Sequence, residues 1–122
     1  MREVICPTTI VSNTAKISDQ FSIDENTNEV VLTFNYTKGD EAGITITIER
    51  NDIAEETSWA TISDLTAVGT NPLLPYTLQM TATGIRSYSL KSIPFGFYRV
   101  RYAAQDIVVI NGTLAIYIVK DK

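Results

Sequence analysis

The 122-residue chain has no histidine and one cysteine, Cys6. Without imidazole, Ser/His/Asp triads, Cys/His nucleophiles and histidine-ligated metals are excluded. A single cysteine cannot form an intramolecular disulfide, and no neighbouring basic pattern marks this thiol as reactive. We therefore assign Cys6 no functional role and expect a protein that is not an enzyme, with no catalytic residues, no cofactor and no metal site.

Long apolar runs and an excess of positive charge are also missing. The apolar stretch Val4 to Cys6 is broken by Pro7, which is too short for a signal-peptide core, and no later window is long enough to span a membrane. The 10 Lys and Arg against 14 Asp and Glu give a net charge of -4, which argues against a basic nucleic-acid surface. We expect a soluble product made in the cytoplasm, with no membrane or nucleic-acid partner.

The chain is rich in β-branched residues. There are 15 Ile, 9 Val and 16 Thr among the 122 residues, and this class prefers the half-buried surface of a strand. No segment has a sustained 3.6-residue apolar period, whereas about eight short alternating stretches are separated by turn residues. The sequence predicts one all-β domain over residues 1–122, an antiparallel immunoglobulin-like β-sandwich, with residues 1–14 as an extended N-terminal arm.

Alternation assigns faces to several of these strands. In the third strand, Ile44, Ile46 and Ile48 are expected to point into the core. In the stretch 97–104, Tyr98, Val100 and Tyr102 are expected inside, opposite Arg99 and Arg101. Near the beginning, one inward face is expected to contain Ala15, Ile17, Phe21 and Ile23.

The last part of the chain predicts a hairpin and an interface. Asn111-Gly112 is suited to a type I′ turn, and it separates Ile107–Ile110 from Thr113–Val119. Both of these segments are apolar on both faces, although one face of a two-layer sandwich normally meets water. We therefore expect that the segments are either central in a sheet or covered by another subunit.

Acidic residues concentrate in three loops, at 24–29, 40–41 and 52–56. None of these loops has the alternating one-three-five spacing of a dedicated Ca²⁺ site, and no spacing brings two carboxylates together for glycoside hydrolysis. We interpret the acidic residues as solvated turn residues. Trp59 is interpreted as a core residue, with a sugar-stacking platform as the alternative.

Two stretches resemble known families. Tyr88 to Tyr102, which contains Pro94-Phe95-Gly96, is similar to the E-to-F region of immunoglobulin-like sandwiches, where Tyr98 would be the corner tyrosine. The segment FNYTKGDEAGITI, from Phe34 to Ile46, is followed by a polar loop and Trp59 and resembles a strand-turn-strand unit of small tailed-bacteriophage virion proteins. This second resemblance covers about the middle third of the chain and implies a capsid, neck or tail component.

The resemblance and the apolar segments together give one functional expectation. The chain is expected to be a non-enzymatic structural protein of the phage virion, made in the host cytoplasm, that binds copies of itself or other virion proteins. The alternative is a carbohydrate-binding or adhesin module that uses Trp59. The candidate interface residues are Leu73, Leu74, Arg99, Arg101, Ile107, Val109, Ala115, Tyr117 and Val119.

Overall fold

A computed structural model describes residues 2–24, 29–51, 60–61, 77–91, 96–105 and 110–121. These residues form ten β-strands and no helix, and every strand pairing is antiparallel. In chain order, the strands are β1 (Arg2–Ile10), β2 (Lys16–Ile17), β3 (Phe21–Ile23), β4 (Glu29–Thr37), β5 (Ile44–Asn51), β6 (Ala60–Thr61), β7 (Thr77–Met80), β8 (Gly84–Lys91), β9 (Gly96–Ala104) and β10 (Thr113–Asp121).

The strands divide into two sheets. The first sheet has the order β1-β10-β4-β8. In the second sheet, β9 pairs with β2 and β3 along one edge and with β5 along the other, and β5 also pairs with β6 and β7. The antiparallel β-sandwich predicted from composition and alternation is confirmed.

The core lies between the inward faces of the two sheets, and it follows the period-two pattern of the sequence. Ile44, Ile46 and Ile48 are buried, as predicted, and so are Tyr98, Val100 and Tyr102. The first sheet contributes inward residues from its central strands: Val30, Leu32, Phe34 and Tyr36 from β4 and Leu114, Ile116 and Ile118 from β10. Tyr98 stacks on Phe21, with ring centroids 5.8 Å apart.

The strand order is not the immunoglobulin order that the sequence suggested. In an immunoglobulin sandwich the last two strands lie side by side in one sheet, whereas here β9 and β10 lie in different sheets. Six of the nine connections between successive described strands cross from one sheet to the other, and β10 lies between β1 and β4. Omitting the two-residue strands, the orders β1-β10-β4-β8 and β3-β9-β5-β7 are those of an eight-stranded jelly roll.

The predicted hairpin falls partly outside the described residues, because residues 107–109 of its first segment are not among them. Both edges of its second segment, in β10, are paired, one with β1 and the other with β4. Gly112 is not among the glycines with positive φ, so a type I′ turn is not formed. The chain uses Asn111 and Gly112 to cross between the sheets.

The beginning of the chain also differs from the expectation. The stretch 1–14, described above as an extended arm, contributes β1 to the first sheet over Arg2–Ile10. The shared face expected for Ala15, Ile17, Phe21 and Ile23, in which Asp19 breaks the alternation, is not formed throughout, because Ser18 is buried and exchanges hydrogen bonds of 2.8 and 2.9 Å with the backbone of Val100. Phe21 and Ile23 are buried as predicted, but Ile17 is 53% exposed.

Candidate functional site

The outer face of the first sheet carries three of the predicted interface residues. Ala115, Tyr117 and Val119 alternate along β10 with the buried core residues of that strand, so they share the side that points away from the second sheet. Val119 is 38% exposed and Tyr117 is half-buried, whereas Ala115 is only 2% exposed. The structure therefore brings these three residues together, with Ala115 at the bottom of the face.

Strands β1, β4 and β8 extend this face. By strand register, Val4 lies beside Tyr117, Val31 lies beside Val119, and Asn35 lies between Ala115 and Ile85. Val4, Ile10 and Ile85 are 49%, 58% and 67% exposed. Sequence reasoning missed these residues because it did not place β1 and β8 on either side of β10 and β4.

Charge is scarce on this surface. Among the described side chains that the register places on it, Arg2 is the one charged group, and its guanidinium carbon lies 4.4 Å from the centroid of the Tyr117 ring. In the middle of the face, the hydroxyls of Thr33 and Ser87 form a 2.9 Å hydrogen bond. The outer face is therefore uncharged over most of its described area.

The two arginine candidates lie on the other side of the molecule, on the outer face of the second sheet. Arg99 donates from Nε to Glu49 at 2.7 Å, and the Glu49 side chain is only 5% exposed. Arg101 lies 3.8 Å from the second oxygen of Glu49 and is 54% exposed. Arg99 is thus bound within the fold, whereas Arg101 is accessible to a partner but does not join the β10 face.

The other sequence candidates cannot be placed. Leu73, Leu74, Ile107 and Val109 lie outside the described residues, as does Trp59, on which the carbohydrate alternative depends.

One acidic loop residue corrects the sequence interpretation. Glu41, expected to be solvated, is fully buried at the end of the sandwich where β4 crosses to β5. Its carboxylate accepts hydrogen bonds from the Tyr36 hydroxyl, from the Gly39 amide at 2.9 Å, and from the amides of Asn111 at 3.2 Å and Gly112 at 2.9 Å. A buried carboxylate is tolerated because its oxygens are satisfied by donors.

This environment changes the acidity of Glu41. Burial alone raises the pKa of a carboxyl group, but the hydrogen bonds from Tyr36, Gly39 and Gly112 together outweigh burial and lower the pKa from 4.5 to about 2. Asn111 completes the connection, since its side-chain oxygen accepts from the Asp40 amide at 2.7 Å. These hydrogen bonds join two loops that are distant in sequence.

A groove of about 600 Å³ opens beside β1 and contains Cys6, Lys16, Arg101 and Tyr102. The Cys6 thiol lies 3.3 Å from the Tyr102 hydroxyl. Burial raises the pKa of Tyr102, and the hydrogen bond and charge of Cys6 raise it further. Cys6 and Tyr102 thus both form part of the groove wall.

No group of three or more His, Cys, Asp or Glu that could hold a metal ion occurs in the parts of the chain that the structure describes. Over the same ranges, no helix is long and apolar enough to cross a membrane.

Comparisons with known proteins show no matching family model and no matching curated protein. Among solved structures, the chain is similar to a Bacillus endospore appendage from a family of disulfide-linked pili, with a TM-score of 0.49, 8% identity, and coverage of 97% of this chain and 83% of that one. It is also similar to the Yersinia pseudotuberculosis-derived mitogen, with a TM-score of 0.48, 13% identity, and coverage of 100% and 91%. A third similar structure is that of infectious bursal disease virus Gx strain, with a TM-score of 0.46, 8% identity, and coverage of 97% and 31%.

Proposed function

We propose that this chain is a non-enzymatic structural subunit, and specifically a virion component of a tailed bacteriophage, that acts through protein–protein contacts. The observation that carries the proposal is the outer face of the first sheet, where exposed apolar side chains surround an uncharged centre. Val4, Ile10, Ile85 and Val119 are each more than a third exposed on this one surface. Several exposed apolar side chains on one uncharged surface are typical of interaction sites in soluble proteins.

The buried carboxylates support a structural role rather than a catalytic one. Glu41 is held by amides and a tyrosine hydroxyl, and Glu49 is paired with Arg99. Both groups are therefore engaged in bonds that maintain the fold. Together with the lack of histidine in the whole chain, this favours assembly over chemistry.

The fold itself does not choose between assembly and glycan binding. Jelly-roll sandwiches serve as viral capsid domains and as lectin domains, and a fold shared by several functions leaves the decision to the site. The described site favours assembly, because a sugar site needs an aromatic platform with convergent polar groups, whereas the ring of Tyr117 is occupied by Arg2.

Co-purification tests this proposal. Particles are isolated by density gradient from the cells that make the chain, and the chain is quantified against the major particle proteins by mass spectrometry. We expect a fixed stoichiometry in the particles, and we expect that a purified chain binds at least one isolated virion protein. A chain that is absent from particles and instead binds a specific glycan on an array would contradict the proposal and favour the adhesin alternative.

A further inference from the structure

We infer that the outer face of the first sheet binds the same face of a second copy of this chain. The two copies are related by a two-fold axis that lies in the interface, between β10 and β4, and runs nearly parallel to these strands. This inference deepens the proposed function, on which it rests, by naming the partner and the arrangement. It is carried by the extent of the face, by its lack of charge and by the distribution of large and small side chains across it.

The extent of the face suits a specific interface. Four strands about 4.8 Å apart, with lengths of up to nine residues at about 3.4 Å each, cover about 600 Å² in projection. A stable interface buries about 800 Å² of accessible surface on each partner, and the accessible surface of a corrugated face exceeds its projection. Full coverage of this face by one partner therefore reaches the size that a specific dimer needs.

The distribution of side-chain size is what points to a second copy. The half of the face formed by β1 and β10 carries most of the large side chains, including Arg2, Val4 and Tyr117. The half formed by β4 and β8, here called the low half, carries mostly smaller side chains, with Thr33 paired to Ser87 beside Asn35, and Ile85 is its large exception. A surface with large side chains mainly in one half and small ones mainly in the other is complementary to itself when a two-fold axis places each half over the other, which is the requirement for an isologous contact.

This axis fixes which residues meet. A two-fold rotation about the strand direction lays β1 of one copy over β8 of the other, and β10 over β4. Because the axis is parallel to the strands, residues that are paired within one sheet stay at the same position along the strands in both copies. Val119 of one copy then meets Val31 of the other, and Tyr117 meets Thr33. Ile85, the large residue of the low half, meets the bulged part of β1 near Pro7. Aligned packing of two sheets in this way is the usual geometry of a sandwich core.

The charged row lies at one end of the arrangement. The register places Glu29, Lys91 and Asp121 in one row at the end of the sheet, and the axis lays Asp121 of one copy over Glu29 of the other, so this row does not itself favour the contact. Arg2 contacts the Tyr117 ring, so its charge already has a partner within each copy. The centre that would be desolvated contains no described charged side chain, and the cost of burying ions is avoided.

The test uses the full chain and complementary charges. Val119→Glu and Val31→Lys each place two like charges near the axis of a homodimer, so each variant is expected to dimerise at least about tenfold more weakly than the wild-type chain. An equimolar mixture of the two variants places Glu opposite Lys and is expected to recover dimers that contain one copy of each. Sedimentation equilibrium measures the affinities, and native mass spectrometry identifies the mixed dimer.

Two further variants keep the test decisive. Ile17→Glu introduces the same charge at a similarly exposed apolar residue of the second sheet, and it is expected to leave dimerisation unchanged. Thr33→Tyr fills the low half of the face without adding charge, and it is expected to weaken dimerisation while the circular dichroism spectrum and melting temperature show a folded chain. This variant decides the matter if a charged variant fails to fold.

The inference and the proposed function fail in different ways. A wild-type chain that is monomeric at its highest soluble concentration overturns the second-copy inference, as does a dimer unaffected by Val119→Glu, Val31→Lys and Thr33→Tyr. If such a monomer still co-purifies with a virion protein, the proposed function is supported and only the partner is wrong. A dimer that behaves as expected but never occurs in particles supports the inference and contradicts the virion role.

Discussion

The amide of Gly112 donates a 2.9 Å hydrogen bond to the carboxylate of Glu41, which lies 71 residues earlier in the chain. This bond joins the loop that carries β4 across to β5 with the loop that precedes β10. These loops lie at the same end of the sandwich, because the register pairs Thr37, the last residue of β4, with Thr113, the first residue of β10. Glu41 therefore stabilises the connectivity of the fold at a point where no strand pairing holds it.

Replacing Glu41 with Gln is expected to destabilise the protein by about 1 to 3 kcal/mol. The side-chain amide of Gln has an NH₂ group in place of one carboxylate oxygen, so some of the buried backbone N–H groups lose their hydrogen-bond acceptor. Urea unfolding measures the change in the free energy of unfolding. Asp19→Asn, the same change of chemistry at an exposed position, is the matched control and is expected to cost less than about 0.5 kcal/mol. Equal effects of the two variants would show that the Glu41 contacts do not stabilise the fold.

The low pKa of Glu41 predicts a specific dependence on pH. The carboxyl titrates near 4.5 when exposed and at about 2 in the folded chain, so between these values the unfolded state binds more protons than the folded state. The stabilisation due to Glu41 is then complete above pH 4.5 and is lost as the pH falls toward 2.

Unfolding measured across this pH range for the wild-type chain and Glu41→Gln isolates the contribution of Glu41, because the other carboxyls titrate in both proteins. The difference in the free energy of unfolding is expected to shrink as the pH falls. A difference that stays constant from pH 2 to about pH 6 would show that Glu41 has an ordinary pKa.

Two glycines give a prediction with opposite outcomes. A Cβ atom added to Gly112 would overlap the Glu41 carboxylate, whereas a Cβ added to Gly84 has no atom within 4 Å. Gly112→Ala is expected to cost more than about 1 kcal/mol through steric displacement of the carboxylate, and Gly84→Ala is expected to be neutral or slightly stabilising. Thermal unfolding of both variants provides the comparison. A Gly112→Ala variant as stable as the wild-type chain would show that the Glu41 carboxylate does not lie against Gly112.

The two arginines of β9 are also expected to differ. Arg99→Ala removes the closer partner of the buried Glu49 carboxylate and is expected to cost about 1 to 3 kcal/mol. Arg101→Ala removes a longer contact from an exposed side chain and is expected to cost less than about 0.5 kcal/mol. Chemical denaturation distinguishes the variants, and equal costs would mean that Glu49 does not depend on Arg99.

Sequence patterns predicted the local features of this fold well. The inward residues of β5 and the inward face of β9 were correct, since alternation with period two depends only on the local backbone. The same alternation placed Ala115, Tyr117 and Val119 on a common face. It did not predict the depth of each side chain on that face, because burial of Ala115 depends on the strands on either side of it.

Turn chemistry was a poorer guide. Asn111-Gly112 has the composition of a type I′ hairpin, but the same two residues provide the close approach and the amides that Glu41 requires. Glu41 was interpreted as a solvated residue because its neighbours are polar and charged. Its actual partners come from a loop 70 or 71 residues away, and no local pattern signals a contact of that separation.

The sequence by itself determined that this is an all-β chain without histidine chemistry, and it determined which residues of β5 and β9 face inward, because composition and side-chain alternation are properties of each segment alone. Only the tertiary structure decided that successive strands cross between sheets, that β10 lies between β1 and β4, and that Glu41 is buried. These features depend on pairing between distant segments, in which backbone hydrogen bonds can be satisfied by several alternative partners. The burial of apolar faces over the whole domain, rather than any single turn, selects among those partners.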